Sequence, residues 1–163
     1  MATRCYLDTC IVGGIVKENL VPGELIAVRV LLRWNKDRRI SLVTSDVIQR
    51  EISDIPDHLR FRHEAIYYLA NASSIVPLTP LGLMGLPGMR PGSLRLRALQ
   101  HLLSDVPDAR HIFAAWKSGL DYVVTTDTHT ILKYGEELDR HFDIVALRPS
   151  ELVERIGGAP LRE

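Results

Sequence analysis

The chain has 163 residues, of which 46% are hydrophobic and 25% charged; this is typical of one globular domain and excludes disordered and fibrous proteins. Twenty basic residues balance twenty acidic ones, which argues against a protein that coats nucleic acid through long-range charge but leaves room for a local basic patch. The apolar runs fall short of the roughly 20 residues of a membrane span, and the N-terminus lacks the layout of a signal peptide. We therefore expect a cytoplasmic protein.

Strands and helices alternate along the chain, judged from apolar periodicity and from helix start and stop signals. The predicted strands are 4–9, 40–44, 75–77, 122–124 and 143–146. The predicted helices are 22–35, about 46–55, about 57–70, 93–104, about 108–117 and 149–156. Gly13 and Gly14 predict a loop after the first strand. The two cysteines, Cys5 and Cys10, are expected to be reduced thiols. Alternation of this kind indicates a parallel sheet covered by helices on both faces.

The stretch from Asp108 to Asp127 is the one around which the chain is organised. It predicts a helix with an apolar stripe, then helix-ending signals at Lys117 and Gly119, and then a buried strand. Asp108 falls in the first turn of this helix, and Asp127 follows the strand. Open α/β sheets usually place their chemistry at such positions.

Segment 78–93 interrupts this alternation, because its glycines and prolines mix with apolar residues. We interpret it as a long loop. Within it, the Pro/Gly-rich part 81–92 is either a surface excursion or a lid or partner contact.

Two further acids occupy positions equivalent to those of Asp127 and Asp108. Asp8 ends the first strand, and Glu51 lies about two turns into a helix. We expect all four acids to meet at one end of the sheet. Clustered carboxylates repel one another unless a cation neutralises them, and hard oxygen ligands favour Mg²⁺ or Mn²⁺ over zinc.

The ordered set of these blocks resembles the PIN-domain nucleases, and within them the VapC-like toxins of toxin–antitoxin pairs. The blocks that carry the resemblance are 6–10, 42–53, 108–111 and 121–127, and together they span most of the chain. The resemblance implies a single PIN-like domain over 1–163. It also implies a three-layer α/β/α sandwich with a central, mainly parallel sheet of about five strands.

The resemblance also implies an activity, a cofactor and partners. Asp8, Glu51, Asp108 and Asp127 are expected to hold one or two Mg²⁺ or Mn²⁺ ions that activate a water for hydrolysis of RNA. Thr126 and Lys133 are weaker candidates for contacting the substrate. A cognate antitoxin and a second copy of the chain are the implied protein partners. The apolar face of helix 22–35 and loop 81–89 are where an antitoxin is expected to bind.

Simpler interpretations remain open. Asp108 is then only a helix N-cap, Asp127 only caps a turn, and Glu51 is a solvated helix residue. The basic ridge of Arg29, Arg33 and Lys36 is interpreted as a solvated face. At the level of function, the alternative is a PIN-like module that binds RNA or protein without cutting it. A receiver domain fits less well, since only Asp8 follows the first strand and no lysine follows the last.

Overall fold

The structure is a computed structural model that describes residues 2–70, 75–76 and 91–157. It is a mixed α/β fold. The strands are β1 (Thr3–Leu7), β2 (Ile40–Ser45), β3 (Ile75–Val76), β4 (Tyr122–Val124) and β5 (Val145–Leu147). The helices are α1 (Thr9–Val16), α2 (Pro22–Lys36), α3 (Asp46–Ser53), α4 (Asp57–Ala70), α5 (Pro91–Leu103), α6 (Val106–Lys117), α7 (Gly135–Phe142) and α8 (Pro149–Gly157).

Four strands form a parallel sheet in the order β2-β1-β4-β5. Cys5 of β1 lies opposite Leu42 on one side and Tyr122 on the other, while Tyr122 also lies opposite Val145. The two-residue β3 pairs in parallel with the end of β2, at Thr44 and Ser45. The predicted parallel sheet is thus confirmed, whereas the three-layer arrangement and the count of about five strands stay predictions.

The chain order reverses between the central strands β1 and β4. From β1 the chain continues to β2 on one side, and β4 then lies on the other side with β5 beyond it. In open α/β sheets such a reversal leaves a crevice at the carboxyl ends of the two strands, because the helices that follow them cover opposite faces. Asp8 and Thr125 are the residues that directly follow β1 and β4, so they lie at this crevice.

The core is built from the periodic apolar residues that indicated the helices. Ile112 of α6 and Leu31 of α2 are buried, as are Val43 of β2 and Val123 of β4. Since Ala27, Val28 and Leu31 of α2 face this core, the prediction that the apolar face of helix 22–35 is available to an antitoxin is wrong. None of the helices in the described part of the chain is long and apolar enough to cross a membrane.

Two predictions of local structure are also wrong. Gly13 and Gly14 lie inside α1 rather than in a loop, because the N-cap at Asp8 starts the helix immediately after β1. Helix α7 was not predicted, although Leu138 and Phe142 are buried one turn apart. The C-cap of α7, Asp143, has a left-handed backbone (φ 55°), so β5 begins at Val145, not at 143.

Most of segment 78–93, including 81–89, lies outside the described residues, and its end from Pro91 belongs to α5.

Replacing each glycine of α1 by alanine distinguishes the helix from the predicted loop. A Cβ atom at Gly13 meets no atom within 4 Å, whereas one at Gly14 comes within 2.6 Å of the Leu20 side chain. We expect Gly13→Ala to raise the free energy of unfolding by about 0.5–1 kcal/mol, because alanine favours a helix interior. Gly14→Ala is expected to give no such gain, since crowding against Leu20 costs about 1–3 kcal/mol. Urea unfolding measures both, and equal effects would contradict the helical packing.

Candidate active site in an acid-lined cavity

All four predicted acids line one cavity of about 790 Å³. Asp8 lies at the end of β1, Glu51 on α3, Asp108 on α6 and Asp127 after β4. Thr126 lines the same cavity, whereas Lys133 is not among its lining residues and instead lies over the ring of Tyr134. The four predicted acids thus share one cavity, as expected, but Glu24 also lines it and was not predicted, and Lys133 lies outside its lining.

Asp8 is the most firmly held of the acids. Its carboxylate accepts hydrogen bonds from the Thr9 backbone N–H at 2.7 Å and from the Thr125 hydroxyl at 2.6 Å. The Cys10 thiol donates to it at 3.0 Å, and only 4% of Asp8 is exposed. Asp8 therefore caps α1 and joins the ends of β1 and β4 at the same time.

Cys10 belongs to the floor of the cavity as a neutral thiol. Burial, with the adjacent Asp8 carboxylate, raises the pKa of Cys10 to about 12, so the thiol stays protonated and unreactive at neutral pH. Its sulfur accepts hydrogen bonds from the backbone N–H and the hydroxyl of Thr126, at 3.2 and 3.3 Å. Cys10 thus holds Thr126 in place next to Asp8. As predicted, Cys5 and Cys10 are both free.

Glu51 is held by a buried hydrogen-bond network that includes His111. One of its oxygens pairs with His111 Nε2 at 2.8 Å, and the other accepts from the Thr9 hydroxyl at 2.5 Å. On the other side of the ring, His111 Nδ1 is 2.6 Å from the Tyr6 hydroxyl, which is 2.7 Å from the Ser45 hydroxyl. The interpretation of Glu51 as a solvated helix residue is therefore wrong.

His111 and Glu51 form an ion pair inside this network. Burial lowers the pKa of His111, but the Glu51 hydrogen bond and the negative charge of Asp8 raise it more, so the net shift is upward. Burial acts to raise the pKa of Glu51, but His111 and Thr9 lower it more, so the net shift is downward. Both shifts favour a protonated imidazole beside an ionised carboxylate. Only 1% of His111 is exposed, whereas 29% of the Glu51 side chain is exposed, so the pair is buried on the imidazole side and open to the cavity at the carboxylate.

Asp108 and Asp127 meet across the Thr130 hydroxyl, which lies within hydrogen-bond distance of a carboxylate oxygen of each. The N-cap of α6 is Asp105, whose side chain accepts from the Asp108 backbone N–H at 2.9 Å. The interpretation of Asp108 as an N-cap is therefore wrong, and its carboxylate is free to line the cavity. Asp127 does cap a turn, because it accepts from the backbone N–H groups of His129 and Thr130 at 2.8 and 3.2 Å.

These neighbouring carboxylates have opposite pKa shifts. Burial raises the pKa of Asp108 to about 6, and the negative charges of Asp8 and Asp127 act in the same direction. For Asp127 burial also acts upward, but hydrogen bonds from Thr130 and from the turn backbone outweigh it and lower the pKa. Within the described residues, no Lys, Arg or His forms an ion pair with Asp8, Asp108 or Asp127. Asp108 is therefore the acid that a cation would stabilise most.

Across residues 2–70, 75–76 and 91–157, no group of three or more His, Cys, Asp or Glu side chains is arranged to hold a metal ion directly. Each carboxylate instead lies beside a threonine hydroxyl: Thr125 donates to Asp8, Thr9 donates to Glu51, and Thr130 donates its single hydrogen to either Asp108 or Asp127. Such hydroxyl bridges occupy carboxylate lone pairs that are otherwise available to a cation. A bound metal would compete with them for the same oxygens.

Comparison of the chain with protein-family models, with curated proteins and with solved structures finds no match. Its function is therefore inferred from the residues and geometry of the cavity.

Substitution of the two carboxylates that share Thr130 is expected to change stability in opposite directions. The pKa of Asp108 in the folded chain exceeds the roughly 3.9 of an unfolded aspartate. Above pH 6, the ionised Asp108 therefore lowers the free energy of unfolding, because its surroundings favour the neutral form. Asp108→Asn should therefore raise the melting temperature at pH 8 by about 2–4 °C and change it little at pH 4.

Asp127→Asn is the matched control. The pKa of Asp127 is lowered, so its ionised form stabilises the fold above the unfolded pKa, and that stability is lost as the pH falls through the folded pKa. The substitution should lower the melting temperature at pH 8. Thermal unfolding of both variants with a chelator present tests the assignment, and shifts of the same sign at pH 8 would refute it.

Proposed function

We propose that this chain is a divalent-metal-dependent endoribonuclease that hydrolyses RNA phosphodiester bonds with Mg²⁺ or Mn²⁺ as its cofactor. The observation that carries the proposal is that Asp8, Glu51, Asp108 and Asp127 line one cavity at the carboxyl ends of the central strands. The same four acids, in the same order, carry the resemblance to PIN-domain nucleases. We extend the proposal to the fold, as a three-layer α/β/α PIN-like sandwich with about five strands.

The chemistry of the donors fits a hard divalent cation. All four groups are carboxylates, and Mg²⁺ typically keeps several waters and binds one or two carboxylates directly. Asp8 and Asp108 are the best candidates to hold the ion. Asp8 is fixed in position by Thr125. Burial and, after it, the neighbouring carboxylates raise the pKa of Asp108, and a cation would offset both effects. Asp127 and Glu51 are engaged with a turn and with His111, so they suit contacts through water.

The residues of the cavity have separate roles in the proposed hydrolysis of a phosphodiester. When bound, the metal supplies an activated water and neutralises charge on the phosphate. His111 holds a proton at Nε2 beside Glu51 and keeps that carboxylate ionised and oriented. The Thr126 hydroxyl lies at the cavity wall and donates its single hydrogen to the Cys10 sulfur, so it would turn that hydrogen from the sulfur to a phosphate oxygen when RNA binds.

The resemblance to VapC-like toxins extends the proposal to partners. We infer that the chain is the toxin of a toxin–antitoxin pair and forms a homodimer that its antitoxin holds inactive. Two large apolar side chains of α4, Phe61 and Tyr68, are 76% and 84% exposed two turns apart, and exposed apolar surface of this kind often marks a protein contact. Light scattering and co-purification with the product of the neighbouring gene test this extension.

Cleavage of RNA is the direct test of the activity. The purified chain should cut a pool of structured and single-stranded RNA with Mg²⁺ or Mn²⁺ and not with chelator. Asp8→Asn should reduce the rate by about 100-fold or more, because it removes a ligand charge from a fixed position. Asp139→Asn, an exposed aspartate of α7 outside the cavity, is the control. Folded, metal-loaded protein that leaves every RNA uncut would favour a non-catalytic RNA- or protein-binding module.

Metal binding has a readout that does not depend on finding the substrate. Mn²⁺ should raise the melting temperature of the chain, because a ligand that binds only the folded state stabilises it. The increase should be larger at pH 8 than at pH 5, since Asp108 with its pKa of about 6 must lose its proton to bind a metal. Asp108→Asn should remove most of the increase, whereas Glu154→Gln, exposed on α8, should keep it. A metal effect independent of pH and of Asp108 would contradict this site.

A further inference from the structure

The part of the cavity away from the carboxylates contains polar atoms that the acid cluster does not use. It lies between α1 and α4, which run in opposite directions. Arg62 of α4 pairs with Glu18, just past the end of α1, at 3.3 Å. Further along α4, burial raises the pKa of Tyr67, and the hydroxyl of Thr9, at the start of α1, acts to lower it. We call this region the distal pocket, and it is lined by Gly13, Lys17, Leu20, Val21, Ile55 and His63.

Helix α1 forms one wall that leads from the acids into the distal pocket. Thr9, Gly13 and Lys17 are spaced four residues apart, so they lie on one face of the helix, and all three line the cavity. Thr9 contacts Glu51, whereas Lys17 lies about 12 Å further along the axis. Between them, Gly13 has open space where a side chain would be. The cavity is therefore open beside α1 at Gly13, between Thr9 and Lys17.

His63 provides the buried polar atom of the distal pocket. Only 3% of the residue is exposed, and its Nδ1 lies 3.0 Å from the Leu59 carbonyl oxygen one turn back on α4. A carbonyl oxygen only accepts, so Nδ1 carries the proton, and Nε2 of the neutral ring presents an acceptor lone pair. No hydrogen bond joins Nε2 to another described residue, and His63 lines the cavity, so Nε2 is the acceptor that the ring offers to a ligand there.

Two cations line the cavity without an ion pair to another described residue. Lys17 and Arg148 are both exposed. Arg148 is brought near the start of α2 because Ser150 donates to Glu24 at 2.7 Å. Leu20, Val21 and Ile55 add apolar surface, and Val21 is 68% exposed. The distal pocket thus combines the positive charge of Lys17, apolar surface and one buried acceptor. Arg148 lines the same cavity, as does Glu24, whose two carboxylate oxygens accept from Ser150.

We propose that the distal pocket is a nucleotide subsite for single-stranded RNA, in which His63 Nε2 accepts a hydrogen bond from the edge of a base. Lys17 and Arg148 contact the backbone phosphates, and the apolar residues pack against the base. The suitable donors are the amino groups of adenine and cytosine and the ring N–H of guanine or uracil. The proposal rests on RNA being the substrate, and it makes His63 a specificity-determining residue of the proposed nuclease.

Binding of short single-stranded RNAs of one base type each, oligo(A), oligo(C) and oligo(U), tests the subsite. Fluorescence anisotropy is measured on the Asp8→Asn chain, so that no strand is cut. His63→Phe keeps a ring but loses the acceptor, and it should weaken binding of the preferred base about fivefold and of the others little. His63→Gln keeps an acceptor near the Nε2 position and should retain the preference. His58→Phe, an exposed histidine of the same helix, should bind as the parent does.

Substitution of a cation should change the RNA affinity in a different pattern. Lys17→Met should weaken all three RNAs to a similar degree and reduce the slope of log affinity against log salt by about 1, because it removes one phosphate contact. A uniform loss in His63→Phe together with a lowered melting temperature would overturn the subsite and make His63 a structural residue. Unchanged base preference in His63→Phe would overturn it as well.

The two proposals fail in distinguishable ways. If the active chain cleaves RNA but His63→Phe leaves the distribution of cleavage sites unchanged, the nuclease stands and the subsite is refuted. If RNA binds with a base preference that depends on His63 but is never cleaved, the subsite stands and catalysis is refuted.

Discussion

The hydrogen bond from the Thr125 hydroxyl to the Asp8 carboxylate joins the ends of the two central strands, and the cavity depends on it. Parallel pairing of β1 with β4 brings Asp8 and Thr125 to the same edge of the sheet. The same carboxylate starts α1 by accepting from the Thr9 backbone N–H. One buried acid thus fixes where the sheet ends, where the first helix begins and where the cavity opens.

Around that acid, local hydrogen bonding gives each carboxylate a different state. Burial acts to raise the pKa of both Glu51 and Asp127, but hydrogen bonds from His111 and Thr9 lower that of Glu51, and those from Thr130 and the turn backbone lower that of Asp127. Asp108 has only the Thr130 hydroxyl against burial and neighbouring negative charge, so its pKa is raised. Groups whose environments push their pKa values apart are typical of sites that perform chemistry. The proposed cation would act chiefly on Asp108, the acid whose pKa is raised.

The cavity also has two ends of different chemistry. One end presents the carboxylates, and the distal pocket presents Lys17 and the free acceptor of His63. A polyanionic strand needs both, since a metal at the acids and cations further along offset its charge at separate phosphates. Zero net charge for the whole chain is compatible with this, because the charge arrangement inside one cavity does not depend on the sum over the chain.

By itself the sequence determined the elements whose periodicity is strong and the acids that follow them. The stripe of α6, the strand β4 and the placement of Asp8 and Asp127 after strands were readable, because local hydrophobic spacing and chain order specify them. Tertiary structure decided the rest. Asp105 rather than Asp108 caps α6, and Gly13 lies in a helix because the cap at Asp8 precedes it. The partners of Glu51 and the free nitrogen of His63 depend on side chains brought together from separate elements, which no local pattern encodes.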